Sequence, residues 1–296
     1  MTVSSPVQQA YKGKRAFHHQ SRPRRQSYPF TCLTNFVKEG LIHDHILLTD
    51  LRKRAGQSRG MQITDMGCGR AADFNRFERA LPGITYTGID MSINMLSQSP
   101  FRHHPRVTLL LGFHEDIEMP RCDILWSFLG MQNACGTPEK LQRLLCRAWD
   151  SLSDGGVFLG AIPNGTKIIR DLGSLSDRSL PFAFERQPRH CEDEQWYNFT
   201  LLDAYEQLPE AVVSPTELER LAEQIGFQAS LTSFADYVKE SSRDPSKRHI
   251  YTKILGREQD AEWATHLAKY YVCFALKKPD AATTGRLGAS ASSQSC

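Results

Sequence analysis

The stretch ITDMGCGRAADF, residues 63–74, places two glycines around a cysteine directly after an apolar run. A strand that ends in a glycine turn and leads into a helix points free backbone N–H groups at a ligand, and a Cβ in the turn would block the approach. Gly67 and Gly69 are therefore candidate ligand-binding residues. Because the motif is short, its meaning depends on the elements on either side of it.

Strand-like and helix-like segments alternate along the chain around this turn. Five short apolar runs have the length of strands, and they are MQITDMG, ITYTGID, RVTLLLG, CDILWSF and VFLGAIP. Apolar residues recur at helical spacing in NFVKEGLIHDHILLTDLRKRA and in EKLQRLLCRAWDSL, where SDGG is expected to end the helix. This order predicts an α/β protein with a doubly wound sheet, which binds ligands beyond the carboxyl ends of its strands.

The composition is typical of a globular protein inside the cell. The chain has 296 residues, of which 40% are hydrophobic, and a net charge of +3. No apolar stretch approaches the roughly 20 residues that span a bilayer, so we expect no membrane contact. The eight cysteines show neither CxxC pairs nor Cys/His ligand spacing. We therefore expect reduced thiols and no bound metal.

The two ends of the chain differ in composition from the middle. Residues 1–28 are rich in lysine and arginine and lack apolar periodicity, which predicts a disordered basic tail. That tail is open to interpretation as a solubilising segment, an RNA contact or a nuclear-import signal. Residues 280–296 are rich in alanine, serine and glycine and predict a second disordered tail. Residues 29–279 remain as the folded domain.

The acids around the glycine turn indicate its ligand. Asp90 ends the second predicted strand, where a carboxylate can accept hydrogen bonds from ribose hydroxyls. A dinucleotide site stays open, because GCGRAA fits the pattern G-x-G-x-x-A. Asp65 and Asp73 would repel a pyrophosphate but suit a cationic amino group, although Asp73 alone is also explained as an acid in the first turn of a helix. S-adenosylmethionine has that amino group, a ribose and no phosphate, so the sequence favours a methyltransferase.

Six segments resemble, in order and rough spacing, the mRNA cap guanine-N7 methyltransferases. They are NFVK, DMGCGRAAD, YTGID, LSDGGVFLGAIPN, YNFTLLDAYEQLPE and EWATHLAKYYVCFAL, within residues 30–278. The most specific are GAIPN and the YNF to LPE segment, which methyltransferases in general lack. The resemblance implies a Rossmann-like class I methyltransferase fold, with a mostly parallel seven-stranded sheet and helices on both faces. It also implies S-adenosylmethionine as the methyl donor, no metal, and 5′-capped RNA as the substrate.

The resemblance further implies which residues bind the methyl donor. Lys38 would reach the methionine carboxylate, Gly67 and Asp73 would contact the methionine end, and Asp90 would hold the ribose. Taken alone, Lys38 is equally a solvated helix lysine. The complete set expected at the donor site is Lys38, Gly67, Gly69, Asp73, Asp90 and Phe128.

For the cap guanine, the resemblance implies that Glu210 of LPE reads the guanine edge and that Tyr271 lies beside the methylated base. Each has a plainer explanation, since Glu210 could be a loop acid and Tyr271 an ordinary strand aromatic. The complete set expected around the guanine is Gln132, Asn133, Glu210 and Tyr271.

Three departures from the family pattern put parts of the site in question. The family's GCGKGGD is GCGRAAD here, so that residues 70–72 stiffen the loop. SFLGMQN replaces QFxxHY, which puts Gln132 and Asn133 where the family has a histidine and a tyrosine. The family's acid on the adenine side is missing after the third strand, and Glu115 or Asp116 are its candidate substitutes.

The expected chemistry needs positioned groups rather than a catalytic dyad. Guanine N7 already carries a lone pair, so no general base is required and proximity and orientation would supply the rate. A carboxylate at Glu210 would select guanine and oppose the positive charge that develops on the ring. Basic side chains would suit the cap triphosphate. The candidates are the basic tail and Arg70, Arg102, Arg106 and Arg170.

Two alternatives to an active cap methyltransferase stay open on the sequence. One is a degenerate methyltransferase-fold subunit that supports a catalytic partner, prompted by SFLGMQN. The other is a methyltransferase for another RNA or a small molecule. The resemblance implies a nuclear location, with the cytoplasm as the alternative. Other mRNA capping enzymes are candidate partners, and we expect a monomer.

Overall fold

A computed structural model describes residues 27–48, 51, 60–113, 116–175, 180–187, 195–202, 204–255 and 262–280. Most of both predicted tails, residues 1–26 and 281–296, therefore lies outside the described residues, as does Glu115. The first helix begins at Tyr28, and Ser27 before it is buried, so the folded part starts within the range that the sequence assigned to the tail.

The main sheet has seven strands in the order β3-β2-β1-β4-β5-β10-β9, and a second sheet has the order β6-β7-β8. The strands are β1 Gln62–Met66, β2 Thr85–Asp90, β3 Val107–Leu111, β4 Cys122–Phe128, β5 Leu152–Pro163, β6 Phe182–Arg186, β7 Trp196–Leu201, β8 Tyr205–Ala211, β9 Gln228–Ser233 and β10 Tyr271–Lys277. Strands β1 to β5 pair in parallel, and β10 is antiparallel to both β5 and β9. The five predicted strands and the mostly parallel seven-stranded sheet are confirmed.

Helices cover both faces of the main sheet, as predicted. They are α1 Tyr28–Ile42, α2 Phe74–Ala80, α3 Ile93–Ser97, α4 Pro138–Ser151, α5 Gly165–Asp171, α6 Pro215–Ile225, α7 Phe234–Arg243, α8 Arg248–Ile254 and α9 Glu262–Ala268. Apolar side chains of α4 and α6 form a core with one face, and those of α1, α2, α7 and α8 form a core with the other. None of the described helices is long and apolar enough to cross a bilayer.

Helix α4 shows how the local sequence sets an element. The hydroxyl oxygen of Thr137 accepts the Lys140 N–H at 3.3 Å, and Pro138 occupies the first turn, where its missing N–H costs nothing. The predicted apolar face is buried at Leu141, Leu144, Leu145 and Ala148. Leu152, the last residue of the predicted helical segment, is instead the first residue of β5, and residues 153–156 (SDGG) belong to that strand.

Helix α1 ends earlier than the apolar pattern predicts. It runs from Tyr28 to Ile42 and is followed by a π-helical turn, His43–Leu47, while most of the remaining predicted segment lies outside the described residues. The buried side chains Phe36, Val37 and Leu41 fix this helix against the sheet. Lys38 is therefore carried on a packed helix.

The second sheet lies at the carboxyl end of the main sheet. Strands β7 and β8 are antiparallel, and their register places Tyr197 opposite Glu210. The chain leaves β8 through Val213, whose carbonyl accepts the Gly165 N–H of α5 at 2.9 Å. Since α5 directly follows β5, this bond ties the second sheet to the edge where α/β proteins bind ligands.

Candidate functional site

The turn after β1 has the backbone that its glycines predict. Gly67 and Gly69 have φ angles of +77° and +56°, in the left-handed region that favours glycine. A Cβ added at Gly67 would lie 3.0 Å from the Gly130 Cα, so a side chain there would press on the backbone after β4. Ala71, which replaces a family glycine, also has a positive φ, at 57°. The turn is thus held in a conformation that costs alanine about 1 to 2 kcal/mol.

Asp90, at the end of β2, holds this turn in place. One of its carboxylate oxygens accepts the Gly69 N–H at 2.8 Å, and the other accepts the Ser92 N–H at 2.8 Å. Burial of the side chain raises the pKa of Asp90 above its ordinary value, although both backbone N–H groups oppose that shift. Each oxygen keeps a further lone pair for a ligand hydroxyl.

Asp73, at the start of α2, is surrounded by three hydrogen-bond donors. Its Oδ2 accepts from the Lys38 Nζ at 2.7 Å and from the Trp126 Nε1 at 3.1 Å, and its Oδ1 accepts from the Arg76 Nε at 3.2 Å. Burial alone would raise the pKa of Asp73, but Lys38 and Arg76 outweigh burial and lower it. The Lys38 ammonium also lies 4.7 Å from the centre of the Phe128 ring. The sequence-predicted donor residues Lys38, Asp73 and Phe128 are therefore brought together.

A second acid of the motif is buried beneath the turn. Asp65 is 2% exposed in β1 and accepts a hydrogen bond from the Tyr86 hydroxyl. Burial, followed by the nearby charge of Asp73, raises the pKa of Asp65 to about 8. At neutral pH the site therefore combines an ionised Asp73 with a mostly protonated Asp65.

Glu210 lies in a second cluster of buried polar side chains beside the turn. It is 5% exposed, and its Oε2 accepts the Tyr197 hydroxyl at 2.8 Å while its Oε1 accepts the Gln132 side-chain N–H at 3.2 Å. Glu210 lies in strand β8, so its interpretation as a loop acid is wrong. Gln132 lies in a short 3-10 helix, Met131–Ala134, that follows β4. The carboxylate is thus fixed by one residue of the second sheet and by one residue of the short helix that follows β4.

Tyr271 lies between the Glu210 cluster and the donor side. It begins β10 opposite Pro163, at the carboxyl end of β5, and is 1% exposed. Burial and then the negative charge of Glu210 raise its pKa well above the ordinary value. The Phe234 ring centre lies 5.6 Å from that of Tyr271 and 5.8 Å from that of Phe128. An aromatic layer therefore joins the two halves of the candidate site.

Two of the arginines proposed for phosphate binding are engaged in ion pairs. Arg106 precedes β3 at the amino-terminal edge of the sheet, opposite the candidate site, and donates to both carboxylate oxygens of Glu78 at 2.9 and 2.7 Å. The structure does not bring Arg106 to the site. Arg170 is exposed on α5, and its Nε lies 2.8 Å from Asp171 Oδ1.

The other two arginines lie beside the donor turn. The Arg70 Nε donates to the Gln98 carbonyl at 3.3 Å, and the Arg102 Nη1 donates to the Ser97 carbonyl at 3.0 Å. Both guanidinium groups thus meet the carboxyl end of α3. They remain candidates for phosphate contacts.

Sequence reasoning missed the residues that support the acids. Trp126 and Arg76 donate to Asp73, and Tyr197 donates to Glu210. A signal existed for Tyr197, because pairing YNF with LPE in a hairpin places Tyr197 opposite Glu210. Trp126 lies on the same face of β4 as Phe128, two residues away, which alternation along a strand could have indicated.

The fold is that of the class I S-adenosylmethionine-dependent methyltransferases. A solved structure assigned as an S-adenosylmethionine-dependent methyltransferase from Listeria monocytogenes aligns with a TM-score of 0.51 at 14% identity, over 85% of this chain and 99% of that one. At this identity the likeness establishes the fold alone.

Within that class the chain belongs to the mRNA (guanine-N(7))-methyltransferase domain family, whose model matches residues 107–279. The mRNA cap guanine-N(7) methyltransferase of Cryptococcus neoformans is 27% identical over 265 residues, covering 76% of this chain and 41% of its own length. The enzyme of the same name from Saccharomyces cerevisiae is 28% identical over 70% of this chain and 53% of its own. The enzyme of the same name from Schizosaccharomyces pombe is 26% identical, and the match covers 88% of this chain and 81% of its own length. The chain thus spans about half the length of the first two relatives.

Proposed function

We propose that this protein is an mRNA cap guanine-N7 methyltransferase that transfers a methyl group from S-adenosylmethionine to the N7 of the cap guanine. The observation that carries the proposal is the buried Glu210 carboxylate, fixed by Tyr197 and Gln132 beside the glycine turn. A carboxylate in that position matches the N1–H and exocyclic amine of guanine. Membership of the cap methyltransferase family supports the same reaction.

The residues of the turn fit S-adenosylmethionine. Asp90 keeps acceptor capacity for ribose hydroxyls. The ionised Asp73 suits the methionine amino group, while Lys38 suits its carboxylate. S-adenosylmethionine supplies a methyl group on a sulfonium, which is a good leaving group. An ionised carboxylate at this turn suits a ligand that carries a cationic amino group and no phosphate.

The protein's contribution to the reaction is positioning and charge. Guanine N7 needs no general base, so the site has to hold the base edge and exclude water. Glu210 would orient the guanine and oppose the positive charge that develops on the ring. The aromatic layer of Phe128, Phe234 and Tyr271 would exclude water between the donor turn and Glu210. Proximity in such a site can supply roughly 7 to 11 kcal/mol.

Further proposals concern the setting of the reaction. We propose 5′-capped RNA as the substrate and the nucleus as the location, supported by relatives named for mRNA capping. Association with other capping enzymes and a monomeric state stay predictions. The intact acids Asp73, Asp90 and Glu210 speak against a degenerate, donor-free subunit.

Transfer of labelled methyl from S-adenosylmethionine to GpppA-capped RNA tests the function. Glu210→Gln would place an amide N–H against a guanine N–H and remove a charge-assisted hydrogen bond, which together cost about 3 kcal/mol or more. Because 1.4 kcal/mol is tenfold in rate, we expect transfer to fall by about 100-fold or more. Donor affinity, measured by calorimetry, should barely change.

Glu206→Gln is the matched control, because Glu206 lies on the same strand but is exposed. It should leave the transfer rate at the wild-type level. Full activity of folded Glu210→Gln protein would contradict the recognition of the cap guanine by Glu210. Transfer only to acceptors other than the guanine cap would overturn the proposed function.

A further inference from the structure

A polar contact outside the candidate site joins the end of helix α1 to helix α7. The Tyr237 hydroxyl donates to Asp44 Oδ2 at 2.7 Å, and the Lys247 ammonium lies 2.5 Å from the same oxygen. Asp44 belongs to the π-helical turn His43–Leu47 that follows α1, and Tyr237 is a buried residue of α7. Burial and then the charge of Asp44 raise the pKa of Tyr237, so the hydroxyl stays protonated and donates. The contact is therefore a charge-assisted hydrogen bond between two helical segments.

The absence of a side chain at position 40 lets the two helices approach this closely. A Cβ added at Gly40 would press on the Tyr237 hydroxyl and would lie 2.8 Å from the Tyr237 Cε1, closer than side-chain atoms pack in folded proteins. The ring centre of Phe36 lies 6.4 Å from that of Tyr237, so a second residue of α1 packs against the same ring. The distance between α1 and α7 is thus set by the side chain of Tyr237.

The same two helices carry side chains of the candidate site. The Lys38 ammonium of α1 lies 4.7 Å from the centre of the Phe128 ring, and the ring of Phe234, at the start of α7, lies 5.8 Å from that centre. Phe234 and Tyr237 are three residues apart, and Lys38 and Asp44 are six apart, so each pair lies within two helical turns. A change in the contact between Asp44 and Tyr237 therefore shifts Lys38 relative to Phe234.

We propose that Tyr237 and Asp44 are positioning residues for methyl transfer, which set the spacing between Lys38 on the donor side and the aromatic layer on the guanine side. This inference rests on the proposed function. Phe234 lies against Tyr271, with ring centres 5.6 Å apart, so its position also bears on the guanine side. Methyl transfer needs the sulfonium and guanine N7 in line at near-attack distance, and a misplacement of about 1 Å can cost about 100-fold in rate. Tyr237 and Asp44 would act through these side chains rather than on the reacting atoms.

Tyr237→Phe tests the contact, because it removes the hydroxyl and keeps an aromatic ring in the core. The measured quantity is the rate constant of methyl transfer in a single turnover, with S-adenosylmethionine and GpppA-capped RNA both saturating. Saturation ensures that weaker binding cannot account for a slower transfer. We expect the rate constant to fall by about tenfold, which corresponds to a displacement of less than 1 Å. The melting temperature reports whether the variant is folded at the assay temperature.

Gly40→Ala tests the same spacing from the side of α1. The added methyl group would press on the Tyr237 ring and move the helices apart, so we expect a similar loss of rate. Asp123→Asn is the matched control, because it also removes one partner of a buried polar contact, but at the amino-terminal edge of the main sheet. It should lower the melting temperature and leave the rate constant at saturation at the wild-type level.

A wild-type rate constant in either folded variant, Tyr237→Phe or Gly40→Ala, would overturn the proposal and leave the contact with a role in stability alone. An equal loss of rate in Asp123→Asn would overturn it as well, because lower stability would then explain the effect. Wild-type protein that does not methylate a guanine cap would instead overturn the proposed function. The two failures are therefore distinguishable.

Discussion

The ammonium of Lys38 lies 2.7 Å from the Asp73 carboxylate and joins the first helix to the turn after β1. Asp73 is held in its ionised form by this contact and by Arg76, against the cost of burial. Lys38 also lies over the ring of Phe128 at the end of β4. Three elements of the fold thus converge on one ion pair, and the donor side of the candidate site depends on it.

Removal of the Lys38 charge should weaken binding of S-adenosylmethionine. Lys38→Met keeps the aliphatic part of the side chain but removes a charge-assisted hydrogen bond, which is worth about 1.5 to 3 kcal/mol. We expect the dissociation constant, measured by calorimetry, to rise by about 10-fold or more. Lys239→Met, at an exposed position on α7, is the control and should bind as the wild type does. Equal affinities in the two variants would place Lys38 outside the site.

Trp126 should contribute to donor binding although it is buried away from solvent. Its Nε1 donates to Asp73 Oδ2, so Trp126→Phe leaves one side of the carboxylate without a partner but keeps an aromatic ring in the core. We expect donor affinity to fall by about 5- to 20-fold, less than the full value of a hydrogen bond to a charged group, because Lys38 and Arg76 still hold the carboxylate. Thermal melting measures the packing loss separately. An affinity that is unchanged despite a lower melting temperature would show that the indole N–H serves stability alone.

Asp90 should be required for the shape of the turn as well as for the ligand. Asp90→Asn turns one acceptor oxygen into an N–H that faces the backbone N–H of Gly69 or Ser92. We expect donor binding to weaken by about 1.5 to 3 kcal/mol, measured by calorimetry. Asp123→Asn is the matched control, because Asp123 is also buried and accepts the Gln62 N–H at 3.0 Å, but at the other end of the sheet. It should lower the melting temperature without changing donor affinity, and equal losses of affinity in both variants would contradict a local role for Asp90.

The sequence predicted the parts of the fold that follow from local pattern. Strand-length apolar runs gave β1 to β5, and the glycine spacing placed the turn after β1. The place of Asp90 in the site could be predicted, because Asp90 ends β2 and parallel strands bring their carboxyl ends to one edge of the sheet. Glu210 and Tyr271 needed the family resemblance, since nothing in their local sequence separates them from structural residues.

The contacts that support the site could not be predicted from local pattern. Trp126 meets Asp73, and Arg76 reaches back to Asn35 on the first helix, through packing between distant segments. The positions of the arginines in the sequence gave no information about their partners. Arg106, for example, pairs with Glu78 at the amino-terminal edge of the sheet, opposite the candidate site. Such contacts depend on tertiary geometry, which amphipathic periodicity does not encode.

The pH dependence of stability should reveal the buried Asp65. Its pKa is raised from 3.8 to about 8 by burial, so the folded protein retains a proton there that the unfolded chain has released. A state that binds more protons loses stability as pH rises, by about 1.4 kcal/mol per pH unit between roughly pH 5 and pH 7. Asp65→Asn cannot ionise and lacks this loss. The free energy of unfolding of Asp65→Asn relative to wild type, from urea denaturation, should therefore rise by about 1.4 kcal/mol per pH unit over that range. Glu78→Gln is the control: its hydrogen bonds with Arg106 hold the pKa of Glu78 below the ordinary value, so Glu78 is ionised in both states above about pH 5.5 and its difference from wild type should stay constant from there to about pH 7. A constant difference for Asp65→Asn as well would mean that Asp65 is already ionised in the folded protein, with its charge balanced by Lys38.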